Sequence, residues 1–138
     1  MSRIVFDSDT LRLMSLFESA TGAKLKDCLQ DGQLIFVVEE GEMGKAIGPR
    51  GFNVKRIEDA LKRKIKIIEF SADPVKFIKG LVYPLQVETA VEEEGIVTLR
   101  AVDHKTRGYL IGRNASNLRN YEKIVKRYFP TVKEIKVE

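Results

Sequence analysis

The sequence predicts an α+β protein built from two tandem copies of one small module, residues 1–71 and 72–138, each running helix, strand, strand, helix, helix, strand. Three observations predict it. Apolar residues switch between helical spacing and strict alternation, and the same series of switches occurs twice. An offset of 64 lays Ile47, Gly48, Asn53, Glu58, Lys62 and Arg63 on Ile111, Gly112, Asn117, Glu122, Lys126 and Arg127, and lays Val54 and Ile57 on Leu118 and Tyr121. With 43% hydrophobic residues among 138, the chain has enough apolar content to give each copy a core.

In "DSDTLRLMSLFESATG", Asp7, Ser8 or Asp9 can cap a first helix. Leu11, Met14 and Phe17 recur at helical spacing within it, and Gly22 stops it. "KLKDCLQ" and "QLIFVVEE" flank Asp31-Gly32, a strong hairpin signal between two strands. The short segment "MGKAIG" then leads into "FNVKRIEDALKR", where Val54, Ile57 and Leu61 share one helical face and Lys55, Arg56, Lys62 and Arg63 lie elsewhere. "KIKIIEF" alternates as a strand.

The second copy opens where Asp73 can cap and Pro74 fits the first turn of "PVKFIKGLVY", a helix that Pro84 closes. "LQVETAVEE" and "IVTLRAV" form a hairpin around residues 93–95, whose acidic tip reads as solvated. His104 is expected in a loop before a short helical turn, "KTRGYLIG". A long helix, "NLRNYEKIVKRYF", and a strand, "VKEIKV", finish the copy.

Several function classes are excluded early. One cysteine, Cys28, cannot form an intramolecular disulfide, and with His104 alone beside it no Cys/His metal quartet is available. Cys28 is expected in the core. The first residues, "MSRIVFDSDTLRLMSLF", lack a signal-peptide pattern, and no stretch is apolar for long enough to span a bilayer. The expectation is a cytoplasmic protein without membrane contact, metal or cofactor. Catalysis is not expected either. The repeated carboxylates, Glu58 and Glu122, are read as lying on the solvent side of basic helices, paired with Lys62 and Lys126 four residues on. Nor does the glycine-rich stretch have the Walker A spacing.

Charge and glycine point instead to a polyanion. Residues 45–66 hold eight bases (Lys45, Arg50, Lys55, Arg56, Lys62, Arg63, Lys64, Lys66) against Glu58 and Asp59. Residues 100–127 hold Arg100, Lys105, Arg107, Arg113, Arg119, Lys123, Lys126 and Arg127 against Asp103 and Glu122. A net charge of +4 therefore conceals two patches of about +6 each. Each surrounds an Ile-Gly-x-x-[Gly/Ala] stretch before an amphipathic helix: "AIGPRGFNVKRI" and "LIGRNASNLRNY". Glycines at 48 and 51 remove Cβ atoms, so a sugar-phosphate backbone can approach main-chain amides at the amino end of the helix starting near Phe52. In the second stretch Ala115 replaces the second glycine. Alanine is acceptable in a first helical turn, but its methyl would hold a phosphate back or tilt it, so a weaker grip is expected.

These residues resemble the KH-domain family, whose GxxG loop clamps single-stranded nucleic acid. The element order matches that family's type II topology, which implies two tandem type II KH domains, each with a three-stranded sheet and three helices on one face. The stretch "EGEMGKAIGPRGFNVKRIE" and the direct tandem are further similar to the archaeal NusA-like transcription factors. The resemblance implies single-stranded RNA as ligand. Gly48, Pro49, Arg50 and Gly51 would form one loop and Gly112, Arg113, Asn114 and Ala115 the other. Lys45, Asn53, Lys55, Lys66, Arg107, Asn117 and Arg119 would flank them. It also implies an apolar groove for bases, matched here by Ile47, Val54, Ile57 and residues 64–68, and by Ile111, Leu118, Tyr121 and the strand from Val132. Some of these, Val54 and Leu118 especially, are expected in the core as well. Phe52, Tyr83, Tyr109 and Phe129 are available for stacking.

The expected role is that of a monomeric, NusA-like elongation, termination or antitermination factor, with RNA polymerase or a transcription complex as a partner. A ribosome-associated or RNA-processing KH protein, and a KH-like protein-interaction scaffold, are the alternatives.

Overall fold

The computed structural model describes residues 6–30 and 32–138; Asp31, expected at the first hairpin tip, lies outside them. The chain divides into two compact units, Met1–Ser71 and Ala72–Glu138. In the first, α1 (Ser8–Thr21), β1 (Leu25–Leu29), β2 (Leu34–Val38), α2 (Met43–Ile47), α3 (Phe52–Leu61) and β3 (Ile65–Glu69) follow one another. The second repeats the order as α4 (Pro74–Val82), β4 (Val87–Glu93), β5 (Ile96–Ala101), α5 (His104–Ile111), α6 (Ser116–Tyr128) and β6 (Glu134–Val137).

Each unit carries a three-stranded sheet, β1-β2-β3 or β4-β5-β6. The first two strands pair antiparallel, while the third joins the second in parallel. A parallel neighbour cannot be reached by a tight hairpin, so the chain must cross over. The helix pairs α2–α3 and α5–α6 are those crossovers, and the glycine-bearing turn lies in the middle of each.

In the first unit, alternation along β2 puts Leu34, Phe36 and Val38 on one face. Phe17 of α1, Ala46 of α2 and Ile57 of α3 complete the core on that face. Phe17 stacks on Phe36 with ring centroids 4.4 Å apart. Of the three candidate caps for α1, Asp7 is the one used: its Oδ1 accepts the Thr10 N–H at 2.7 Å, and Gly22 ends the helix in the left-handed region. Leu11, which shares the helical spacing of Met14 and Phe17, is 50% exposed. The line that turns inward is Thr10, Leu13, Met14 and Phe17, one residue out of phase with Leu11. Cys28 is buried as expected; burial, with Asp27 adjacent, pushes its thiol up to about 11.

The second unit buries Phe77, Ile78, Leu81 and Val82 of α4, Leu110 of α5, Ile124 and Val125 of α6, and Val97, Leu99 and Ile135 of the sheet. Two expectations are corrected there. His104 is not a loop residue but the first residue of α5, which Asp103 caps by accepting the Thr106 N–H at 2.7 Å. Phe129, expected to be open for stacking, packs against Phe77 with centroids 5.6 Å apart. The last strand also starts later than expected, at Glu134, leaving Val132 buried in the approach to it.

Candidate nucleic-acid interface

The two turns between crossover helices share one backbone path. Gly48 has φ 74 and ψ 171, and Gly112 has φ 74 and ψ 175. Arg50 and Asn114 follow with φ 54 and 55, then Gly51 and Ala115 with φ 72 and 60. The conformation at Gly48 and Gly112, positive φ with ψ near 180°, is essentially restricted to glycine. The left-handed region at the fourth position is only expensive for other residues, by roughly 1–2 kcal/mol. This explains how the second turn accommodates Ala115 at its fourth position while holding glycine at its first. Ala115 is thus not in a first helical turn, as expected, but in a strained left-handed cap before α6.

Gly48 also has a steric reason to be glycine. Asn53 reaches back from α3 and its Nδ2 donates to the Lys45 carbonyl of α2 at 2.8 Å. A Cβ on Gly48 would lie 2.7 Å from that Nδ2. Asn117 repeats the arrangement, donating to the Tyr109 carbonyl at 2.8 Å, and a Cβ on Gly112 would lie 2.7 Å from its Cγ. Each Asn is therefore a strut across the turn, with one of its two amide hydrogens committed to the main chain. Around Gly51, by contrast, a Cβ would meet nothing within 4 Å.

Some amides expected to face a ligand are used inside the turns. The Gly51 N–H donates to the Gly48 carbonyl at 3.2 Å and the Phe52 N–H to the Pro49 carbonyl. The second turn does the same through Ala115 and Ser116. Positive potential at these turns consequently comes from side chains and from the amino ends of α3 and α6.

Pro49, Arg50, Lys55, Arg113, Asn114 and Asn117 are exposed, as are Lys45, Arg107 and Arg119. Lys45 lies 3.6 Å from Glu42, and Arg119 lies 3.0 Å from Glu122. Arg50, Lys55, Arg107 and Arg113 stay outside every ion pair found among the described residues. Lys66 does not join this cluster: its neighbours Ile65 and Ile67 pack on the helical core, so alternation turns Lys66 to the opposite sheet face. There it is half-buried, and burial lowers its pKa.

The apolar set divides likewise. Ile57 is 2% exposed and belongs to the core, leaving no surface for a base. Val54, Ile111 and Leu118 are partly exposed, and Ile47 is open at 38%. Phe52, Tyr83 and Tyr109 are all more than half exposed.

The reading of Glu58 and Glu122 as solvent-side partners of Lys62 and Lys126 is overturned. Glu122 is buried; its Oε2 accepts the Ile135 N–H at 2.9 Å and its Oε1 the Arg119 guanidinium at 3.0 Å. Glu58 Oε2 accepts the Ile65 N–H at 3.0 Å, with Lys64 3.8 Å from its other oxygen. Each carboxylate therefore ties the helix after the turn to the third strand. Their recurrence at one offset was the available signal; spacing to a lysine concealed the direction. The same offset carries Gly44 onto Gly108, helical glycines at which a Cβ would meet nothing within 4 Å. Among the described residues no group of three His, Cys, Asp or Glu could hold a metal ion, and no helix is long and apolar enough to cross a membrane.

A KH-domain family model matches residues 14–94, from within α1 to the β4–β5 turn. A protein of Methanococcus vannielii named "Probable transcription termination protein NusA" is 37% identical over 139 residues, covering 98% of this chain and 80% of its own. One of the same name from Methanocaldococcus jannaschii is 33% identical over 132 residues, covering 93% and 72%. The chain belongs to the archaeal NusA-like KH-domain family. The crystal structure of APE1850 is similar too, with a TM-score of 0.73 and 28% identity over 96% of this chain and all of that one. The family model spans the first turn of this NusA-like KH protein, residues 48–51, but not the second, residues 112–115.

Proposed function

We propose that this protein is a cytoplasmic, monomeric, single-stranded RNA-binding factor of transcription, acting in elongation, termination or antitermination. Its units, 1–71 and 72–138, serve as tandem type II KH domains, and the transcription complex, RNA polymerase included, is its working partner. The carrying observation is the duplicated turn: one backbone path at Gly48–Gly51 and Gly112–Ala115, beside exposed Arg50, Lys55, Arg107 and Arg113, which pair with no carboxylate among the described residues. The name borne by the Methanococcus and Methanocaldococcus relatives supports the transcriptional role.

In this reading phosphates lie along the open side of Gly51, held by Arg50, Lys55 and Lys45, and along the second turn by Arg113, Arg107 and Arg119. Asn53 and Asn117 set turn shape, and each keeps a second amide hydrogen and its Oδ1 for RNA. Ile47, Val54, Ile111 and Leu118 border the bases. The second turn grips less well, because the Ala115 methyl occupies space that Gly51 leaves empty.

The test is a titration of wild type and Gly51→Asp with single-stranded RNA, single-stranded DNA and duplex RNA. Single-stranded RNA should bind best, with a log-log salt slope of about −0.7 per neutralised phosphate. Gly51→Asp should weaken it severalfold. Equal binding of all three nucleic acids, or a salt-independent affinity, contradicts the proposal.

A further inference from the structure

Phe52 is an anomaly for a core-forming residue. It is the first residue of α3, directly after the turn, and 57% of it is exposed. Helical side chains lean toward the amino end of their helix, so its ring leans toward the turn rather than along α3. The Arg56 guanidinium, one helical turn on, lies 5.7 Å from the ring centroid. A cation there steadies the ring while the rest of its surface stays open. Arg50 and Lys55 are exposed on the same short stretch. An aromatic surface set among phosphate-binding cations is the arrangement that holds unstacked bases, because every base has a π-face. The second module has none at this position: Ser116 stands where Phe52 does.

We infer that Phe52, steadied by Arg56, stacks on a nucleobase of the strand whose backbone passes the Gly48–Gly51 turn, a stacked contact that the second module, with Ser116 there, does not make. This rests on the RNA-binding reading above. It adds a contact that the glycine turn does not supply. A protein partner anchored on the same ring is the competing occupant; a base is favoured because the neighbouring cations would have to be desolvated against an apolar protein surface.

The chain has no tryptophan, so Phe52→Trp introduces a single indole reporter at the ring itself. Binding of end-labelled oligoadenylate would be followed by anisotropy, and indole emission by fluorescence, with an abasic oligomer of equal length for comparison. Phe52→Trp should bind oligoadenylate as wild type does and be quenched by it, but not by the abasic oligomer. Phe52→Ala should bind oligoadenylate about tenfold more weakly, the loss of one stacked base, and lose nothing toward the abasic oligomer. If Phe52→Ala proves unfolded by circular dichroism, the indole quench decides alone. Binding by anisotropy with no quench overturns the stacking inference and leaves the RNA-binding reading standing. Absence of any binding by wild type overturns both.

Discussion

At Gly48 the backbone combines φ 74 with ψ 171, and a Cβ there would lie 2.7 Å from Asn53 Nδ2. Conformation and space each stand against a side chain there, whereas at Gly51 conformation alone penalises one. Gly48→Ala should therefore cost more than Gly51→Ala, for which roughly 1–2 kcal/mol is expected from the left-handed region alone. The reverse change in the second module, Ala115→Gly, should stabilise by about 1 kcal/mol, with the gain tempered by the greater freedom of glycine in the unfolded chain. Urea unfolding of the three variants checks the order; Gly48→Ala milder than Gly51→Ala would refute the strut geometry. Gly48 and Gly112 were legible as special in the sequence because they recur. Their reason was not, since the crowding atom belongs to an asparagine five residues on whose direction only the folded turn reveals.

Between elements, the tie that matters is a carboxylate. Glu122 joins α6 to the first backbone donor of β6's buried position, Ile135, and Glu58 joins α3 to Ile65 of β3. Removing a charged acceptor leaves a backbone N–H unpaired, at a cost of roughly 1.5–3 kcal/mol. Glu122→Ala should fall at the upper end, because Glu122 is 6% exposed and also holds Arg119. Glu58→Ala should cost less: its ion-pair partner Lys64 is 94% exposed, and such pairs contribute little. Thermal unfolding of both variants is the check, and equal losses would contradict the ranking. Helices and strands were readable from periodicity and caps, down to Asp73 and Gly22. An inward carboxylate on a basic helix was not, because its i,i+4 spacing to lysine fits a surface pair equally well. The exposure of Leu11 was not readable for a related reason: a stripe with Met14 and Phe17 allows two phases, and packing of Phe17 on Phe36 selects the one that buries Thr10.

Across the whole chain, the net charge of +4 conceals two basic stretches offset by acidic residues elsewhere, the β4–β5 hairpin among them, so affinity for a polyanion should be local rather than general. The two turns share backbone geometry but differ in side chains, with Phe52 and Gly51 in one and Ser116 and Ala115 in the other. Both turns therefore hold RNA in the proposed function, unequally. Amide chemical-shift mapping with a single-stranded oligoribonucleotide tests this most directly. Shifts should concentrate at residues 48–55 first and at residues 112–119 at higher RNA concentration, sparing the β4–β5 hairpin. Shifts confined to the sheets, with both turns unmoved, would contradict it.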